Sequence, residues 1–387
     1  MDNRYLLELI NEAKNRGGGL ILSYEEKPAV VVLTVDKYNE FLKQNTPPYS
    51  KLDKADKQEF MGQEKSKVLV TGGAGYIGGH LVSELVKKNF EVVVLDNLST
   101  GKKENLDPAA VFVEGDLGDE SLLKDLFANN QFEAVFHMAA SLEVEESVRE
   151  PAKYFENNVV NLARLLKAME EAGVKKIIFS SSAAVYGQPE HTPITENSPL
   201  KPQNPYGYTK LLGERLIKYF CEYMGFTATI FRYFNACGFN PATHITPTHQ
   251  SHLVYNVMLV AKGDRPALQV FGNDYPTSDG TCVRDYVHVL DIALPHILAL
   301  ERMREGAGPF EVYNIGTGKG SSVAQVANAA SEVLNKIIPM DMAPRRAGDP
   351  AALTADNSKL TNQLGYRLNH SSLENIIRTS WEVMKDM

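Results

Sequence analysis

In the stretch NPYGYTK a tyrosine and a lysine, Tyr206 and Lys210, stand four positions apart behind Asn204 and Pro205. Pro205 has its backbone angle preset for a first helical turn and Asn204 can accept from that turn's free amides, so a helix is expected to begin here with Tyr206 and Lys210 on one face. A free tyrosine ionises at about pH 10, but a cation one turn away favours the phenolate, which would make Tyr206 a general base. The same spacing occurs on many purely structural helices, so the pair needs company. It has some upstream: FSSSAAVYG ends a strand-like run and offers the hydroxyl of Ser182. Farther back, VLVTGGAGYIGGHL sets Gly72, Gly75 and Gly78 between a strand-like and a helix-like run. Glycines at that spacing permit a tight turn and a close approach of the backbone to a pyrophosphate, with a helix N-terminus supplying amide donors. The next strand-like run ends in Asp96, at the separation expected of a carboxylate that binds ribose hydroxyls, which favours NAD over NADP.

Those residues must be carried by something, and the pattern around them supplies it. KVLVTG, EVVVLD, AVFVEGD, EAVFHMA, KKIIFSS and TATIFRYF are short, apolar and rich in β-branched residues, and most are separated by ten or more residues of helical pattern. This alternation predicts an α/β fold, a doubly wound parallel sheet of the Rossmann type. EGDL at Glu114–Leu117 and HMAA at His137–Ala140 end later strands at the same edge, where a dinucleotide would lie. After Asn235 the alternation loosens into loops rich in proline and glycine, which predicts a smaller α/β lobe over that edge. The expected division is a Rossmann domain over 66–235 with returning segments near 285–316, and a substrate lobe over 236–284 and 317–387.

The 387-residue chain is 43% hydrophobic and 23% charged with a formal net charge of -8, the balance of an ordinary soluble protein with no basic face for nucleic acid. Its beginning, MDNRYLLELI, has neither a basic leader nor a cleavage-site pattern, and no later segment approaches 18 uninterrupted apolar residues, so a cytoplasmic protein without a membrane partner is expected. Cys221, Cys237 and Cys282 form no C-x-x-C and read as packed thiols. His244, His249 and His252 lie close together in THITPTHQSH but lack a further ligand at a recognisable spacing, so no metal is expected.

Through TGGAGYIG, LDNLSTG, FSSSAAVYG, NPYGYTK, RYFNACG, FGNDYPTSDGTCVRDYVHV and APRRAGDPA, residues 66–387 resemble the extended short-chain dehydrogenase/reductase family, and within it the UDP-glucose 4-epimerases. The resemblance implies NAD-dependent epimerisation at C4 of a UDP-hexose by oxidation, turnover of the 4-keto sugar and return of the hydride to its other face. Tyr206 would remove the O4 proton, Ser182 would hydrogen-bond the same oxygen, and Lys210 would hold the ribose and depress the Tyr206 pKa. Carried over by position, Tyr76, Ile77, Asp96, Asn97, Asp116, Leu117, Asn157 and Phe234 would contact NAD. Asn235, Leu253, Phe271, Arg284, Arg346 and Asp349 would surround the UDP-sugar, the two arginines facing its diphosphate. Leu353 matches a position that admits or excludes an N-acetyl group. The resemblance also implies a homodimer through helices near 152–171 and 205–223. Ala184, Leu142 and Tyr255 depart from the family's usual threonine, lysine and proline.

Related reactions compete with this reading. The 4,6-dehydratases of the same scaffold carry acidic residues where this chain has Ala183 and Ala184, and the decarboxylases a glutamate at the position of Ala184; elimination needs an acid and a base there, so epimerisation is preferred. UDP-N-acetylglucosamine or a UDP-pentose remains an alternative substrate. Residues 1–45 resemble the small α+β domain of prevent-host-death antitoxins, with a hairpin of GLILSY and AVVVLTV around EEKP, and 46–65 read as a polar linker. That module carries no basic excess for DNA and suggests a protein partner or an association role, or, in the non-enzymatic alternative, an NAD-binding regulator.

Overall fold

The structure is a computed structural model. It describes the backbone of two strands, Gly19–Tyr24 and Lys27–Leu33, and residues 65–243, 245, 252–346 and 349–387. The chain divides into two compact units, Met1–Glu64 and Lys65–Met387. In the first, the two strands pair antiparallel, Gly19 opposite Leu33, with a register shift at Leu22/Ser23. The flanking helices expected in 1–45 and the linker up to residue 64 lie outside the described residues.

The second unit is built on seven strands: β1 Lys67–Thr71, β2 Glu91–Asp96, β3 Val111–Glu114, β4 Ala134–His137, β5 Lys176–Ser182, β6 Thr227–Tyr233 and β7 Phe310–Ile315. They form one parallel sheet in the order β3-β2-β1-β4-β5-β6-β7. The first six fall on the six apolar runs of the sequence. β7 closes the edge beside β6 after a gap of more than 70 residues, Phe310 opposite Ala228, and was not foreseen as a strand.

Because side chains alternate across a strand, the sheet feeds two cores. Val68, Val70, Val94, Phe136, Ile178 and Phe231 face one side, where they meet Leu81 and Leu85 of α1 (Tyr76–Lys87) and Ile292 and Ile297 of α6 (Val289–Arg304). Leu69, Val93, Val135, Ile177 and Ile230 face the other and meet α2 (Glu120–Ala128), α3 (Asn161–Glu171) and α4 (Pro205–Met224) through Leu126, Leu165 and Ile217. Burial on both faces explains why these strands read as continuous apolar runs. The doubly wound α/β prediction stands.

A third core belongs to the lobe after Asn235. α5 (Leu253–Lys262), α7 (Val323–Leu334) and α8 (Leu373–Met384) pack through Val257, Met258, Val326, Ile376 and Val383. Short strands form three small sheets of their own beside it: Asn235–Cys237 with Tyr286–His288, Leu268–Phe271 with Met340–Ala343, and Val283–Arg284 between Ser321–Ser322 and Ala352–Leu353. The strand order reverses between β1 and β4, so the crevice outside their carboxyl ends is where a doubly wound sheet binds ligands.

Candidate active site at the carboxyl edge of the sheet

The glycine loop shows why each turn residue is there. Gly72 follows β1 with φ +71, and a Cβ on Gly78 would stand 2.1 Å from the Gly72 carbonyl oxygen, so the first turn of α1 can close on the loop only without that atom. The result is a helix N-terminus at the crevice with no side chain capping it, a place where amide donors can meet an anion. Asp96, at the end of β2, is held there by the amides of Ala74 (3.0 Å) and Leu98 (2.8 Å) on its two carboxylate oxygens. Burial raises its pKa and those amides oppose the rise. Asn97 donates to Asp116 at 2.6 Å, which fixes the outer wall beside it. The glycine cradle, the uncapped helix N-terminus and the carboxylate at the end of β2 fit a dinucleotide.

The opposite wall is assembled from β5 and α4. Asn204 caps α4 by accepting the Gly207 amide at 2.9 Å, and Pro205 takes the first helical position, as the sequence predicts. Gly207 lets the helix touch the turn that carries the serine, since a Cβ there would lie 2.6 Å from the Ala184 carbonyl oxygen. Ser182 ends β5 and its Oγ accepts the Ala184 amide at 3.1 Å. Lys210 is buried, its Nζ donating to the Ser180 carbonyl at 2.7 Å and lying 5.1 Å from the Phe179 ring centroid. Burial pulls its pKa down to about 7, against the pull of Glu214.

Here one expectation is corrected. Tyr206 is not brought below its ordinary pKa by Lys210. Burial of the hydroxyl dominates and raises it, the Ser182 hydroxyl opposes the rise, and Glu143 adds to it. The ammonium is turned towards the Ser180 carbonyl. In the chain alone, Ser182 is the group that favours the phenolate.

All twenty expected site residues line a single cleft of about 970 Å³. Besides the groups above, these are Tyr76, Ile77, Leu117, Asn157 and Phe234 on the cofactor side and Asn235, Leu253, Phe271, Arg284, Arg346 and Asp349 on the lobe side. The two arginines differ. Arg284 is buried and already paired, Nη2 donating to Asp349 at 2.8 Å and Nη1 to the Pro350 carbonyl at 2.9 Å. Its neighbour Asp285 clamps the strand by accepting the amides of Thr317 (2.7 Å), Gly318 (3.0 Å) and Ala355 (3.1 Å). Arg346 lies over the Phe271 ring at 4.0 Å and reaches Glu145 at 3.8 Å. Leu353 pairs with Arg284 in the next strand and packs on the first core, and it is not among the residues that line the cleft.

Other cleft residues escaped the sequence reading. Ser180, whose carbonyl accepts the Lys210 ammonium hydrogen bond, is one, although it stands in the FSSS run already singled out. Glu143 raises the Tyr206 pKa but sits in a segment with no motif. Tyr233 lines the cleft and donates to His296 Nε2 (2.6 Å), because His296 Nδ1 is committed to the Ile292 carbonyl at 2.8 Å. Asn157 belongs to a π-helical turn, Glu156–Val160, and donates to Ser141 at 2.9 Å. Its neighbour Asn158 ties the Ser141 amide (2.8 Å) to Thr209 of α4 (3.1 Å). A turn of this kind inside a helix often marks a functional site.

The departures from the family pattern fall in different places. Leu142 lies in the cleft wall and is 40% exposed, Ala184 is the residue under Gly207, and Tyr255 packs against the lobe core. His244 and His249 lie outside the described residues, and the His252 ring meets Tyr76 edge-on at 6.0 Å. Among the described residues no group of three or more His, Cys, Asp or Glu is placed to hold a metal ion. No described helix is long and apolar enough to cross a membrane.

Residues 68–316 match the NAD dependent epimerase/dehydratase family. The chain is 44% identical over 316 residues to a UDP-glucose 4-epimerase of Lacticaseibacillus casei, covering 81% of this chain and 95% of that one. A crystal structure of UDP-glucose 4-epimerase from Brucella ovis in complex with NAD superposes with a TM-score of 0.80 at 40% identity, over 83% of this chain and 98% of that one. The UDP-Glc/GlcNAc 4-epimerase of Campylobacter jejuni superposes with a TM-score of 0.73, also at 40% identity, over 83% of this chain and all of that one (100%). With a glycine cradle, a carboxylate at the end of the next strand and a Ser/Tyr/Lys set on one cleft, and with a family match over residues 68–316 and relatives matched over about four fifths of the chain, the chain belongs to the NAD dependent epimerase/dehydratase family, among the relatives of UDP-glucose 4-epimerase.

Proposed function

We propose that this chain interconverts UDP-galactose and UDP-glucose by transient oxidation at C4. NAD held against the glycine loop and Asp96 would supply a reversible hydride acceptor for C4, so that no external reductant would be consumed. The observation that carries the reading is the single cleft that Ser182, Tyr206 and Lys210 line together with the glycine loop, Arg284 and Arg346. Tyr206 Oη takes the O4 proton as the hydride leaves, with Ser182 Oγ hydrogen-bonded to the same oxygen, which is general acid-base assistance at one atom. In the chain alone burial holds the Tyr206 pKa up, and positive charge brought beside the hydroxyl favours its phenolate. Lys210 holds the ribose. Arg284 and Arg346 hold the diphosphate, Arg346 leaving Glu145 to do so, while Asn235, Leu253, Phe271 and Asp349 enclose the nucleotide sugar.

Purified protein given UDP-galactose and no added NAD tests this. Formation of UDP-glucose supports it, and no turnover with the protein folded and NAD-loaded speaks against it. The 40% identity to an enzyme named for both UDP-Glc and GlcNAc makes a graded preference, rather than exclusion of N-acetylated sugars, the expected specificity.

For the assembly we propose a homodimer. Its support is the apolar surface left on the π-helical turn and α4: Val160, Tyr208, Tyr219 and Tyr223 are exposed, the last two rings stacked at 6.0 Å. The free thiols Cys221, Cys237 and Cys282 suit a reducing cytoplasm. The first unit is proposed as an appended association or partner-binding module.

A further inference from the structure

Behind the catalytic strand lies a buried ion pair that the proposed chemistry leaves unused. Glu214, one turn beyond Lys210 on α4, and Arg232 of β6 are both 4% exposed. Arg232 forks onto the carboxylate, Nε to Oε1 at 3.0 Å and Nη2 to Oε2 at 2.6 Å. Ser181 Oγ donates to the same Oε1 at 2.5 Å. Two charges taken out of water make a poor general stabiliser, so what this pair holds decides its role.

It holds the three serines at the end of β5. Ser180 receives Lys210, Ser181 is bound to Glu214, and Ser182 is the hydroxyl beside Tyr206. On the far side Arg232 Nη1 donates to Tyr186 Oη (2.9 Å) and to the Glu196 carbonyl (3.1 Å). Tyr186 Oη donates on to Asn314 Oδ1 of β7 at 2.7 Å, so the turn after Ser182 is pinned at both ends.

The pair also shapes the field at Lys210. α4 presents Tyr206 and Glu214, and β5 presents Ser180 and the Phe179 ring. β4 presents His137, which burial keeps neutral with a pKa near 3 while its Nδ1 meets Thr71 Oγ1 at 2.7 Å. β6 presents Arg232, whose charge is turned onto Glu214. Glu143 faces Tyr206 from the cleft wall. Glu214 is the anion that supports the ammonium from inside the fold.

We propose that Glu214 is a positioning residue for the reaction, aiming Ser182 through Ser181 and keeping Lys210 a cation through its own charge. The proposal rests on the roles given above to Ser182, Tyr206 and Lys210. Its test uses the full chain loaded with NAD, as wild type, E214Q and E214Q/R232M. The double variant leaves no buried arginine without its partner and so keeps the test alive where E214Q folds poorly. One readout needs no turnover: the Lys210 Cε resonance of ¹³C-lysine protein, assigned by its loss in K210M, followed against pH. The other is the pH profile of kcat and KM with UDP-galactose. Both variants should move the Lys210 titration to lower pH by about 1 pH unit and carry the alkaline limb of kcat with it, because a lysine without its anion loses its proton sooner. The kcat at the optimum should fall about tenfold while KM stays within about twofold. A moved resonance in a protein that does not turn over UDP-galactose would sink the parent reading and leave this one standing. Folded variants whose Lys210 titration and kcat limb match wild type would overturn the proposal, as would failure of both variants to fold, since the pair would then act on stability alone.

Discussion

Gly207→Ala adds one carbon where helix α4 meets the turn behind Ser182. The new Cβ would stand 2.6 Å from the Ala184 carbonyl oxygen, 3.1 Å from its carbon and 3.2 Å from its Cβ. An ordinary contact is about 0.8 Å longer than the first of these, so helix and turn must part by most of that distance. The oxygen is backbone, anchored through Ser182 and Tyr186, and cannot swing aside as a side chain would. Overpacking of this kind costs about 1–3 kcal/mol, and alanine returns about 0.5–1 kcal/mol as a better helix former than glycine. The net destabilisation is then about 0–2.5 kcal/mol, a fall of no more than about 10 °C in Tm. Catalysis is more sensitive. Tyr206 sits one residue before the inserted carbon and Ser182 two residues before the displaced carbonyl, and a misplacement of about 1 Å costs about a hundredfold in rate. The expected result is kcat for UDP-galactose lower by about thirty- to a hundredfold with KM nearly unchanged, read beside a thermal melt of the same preparation. A variant that keeps kcat within threefold of wild type would refute the claim that the contact between α4 and the turn sets the Ser182–Tyr206 geometry.

Tyr206→Phe removes the base and little else, so kcat should fall by about a hundredfold or more while UDP, titrated by calorimetry, binds as before; near-normal turnover would remove Tyr206 from the mechanism. Glu133, which receives Arg304, Ser66 and Lys176, has its pKa lowered to about 2, first by the Arg304 hydrogen bond. A depressed carboxylate stabilises the fold above its unfolded pKa and loses that contribution as pH falls through the folded one. The Tm gap between wild type and Glu133→Gln should therefore be full near pH 6 and close between about pH 4.5 and 2; a gap independent of pH would contradict the assignment. A chain beginning at Ser66 should fold and keep its activity, as judged by soluble yield and turnover, because every described residue that lines the cleft belongs to the second unit; loss of both would show that the first unit supports the catalytic one.

Much of this was legible in the sequence because its causes are local. Asn204 and Pro205 announce a helix start by capping chemistry alone, and the glycine loop with Asp96 announces a dinucleotide site by spacing. β7 was not, because Phe310–Ile315 is a strand only by virtue of β6 beside it, and nothing within six residues says which partner they will find. The electrostatics were hidden for a similar reason. Four residues of separation put Lys210 near Tyr206, but whether its ammonium faces the phenol or the Ser180 carbonyl depends on β5, a strand thirty residues away in sequence. Arg284 and Arg346 show the same limit: their residue type suggested diphosphate, while their present partners, Asp349 and Glu145, are set by the folded lobe and the opposite wall.

The central claim is that one hydride leaves C4 and returns to the same carbon within one cleft. UDP-galactose carrying deuterium at C4, incubated with the purified protein and no added cofactor, tests it most directly by mass spectrometry of the product. The account predicts UDP-glucose that retains the deuterium at C4 with no net formation of NADH. Washout of the label into solvent, loss of water from the sugar, or one NADH accumulating per turnover would contradict it.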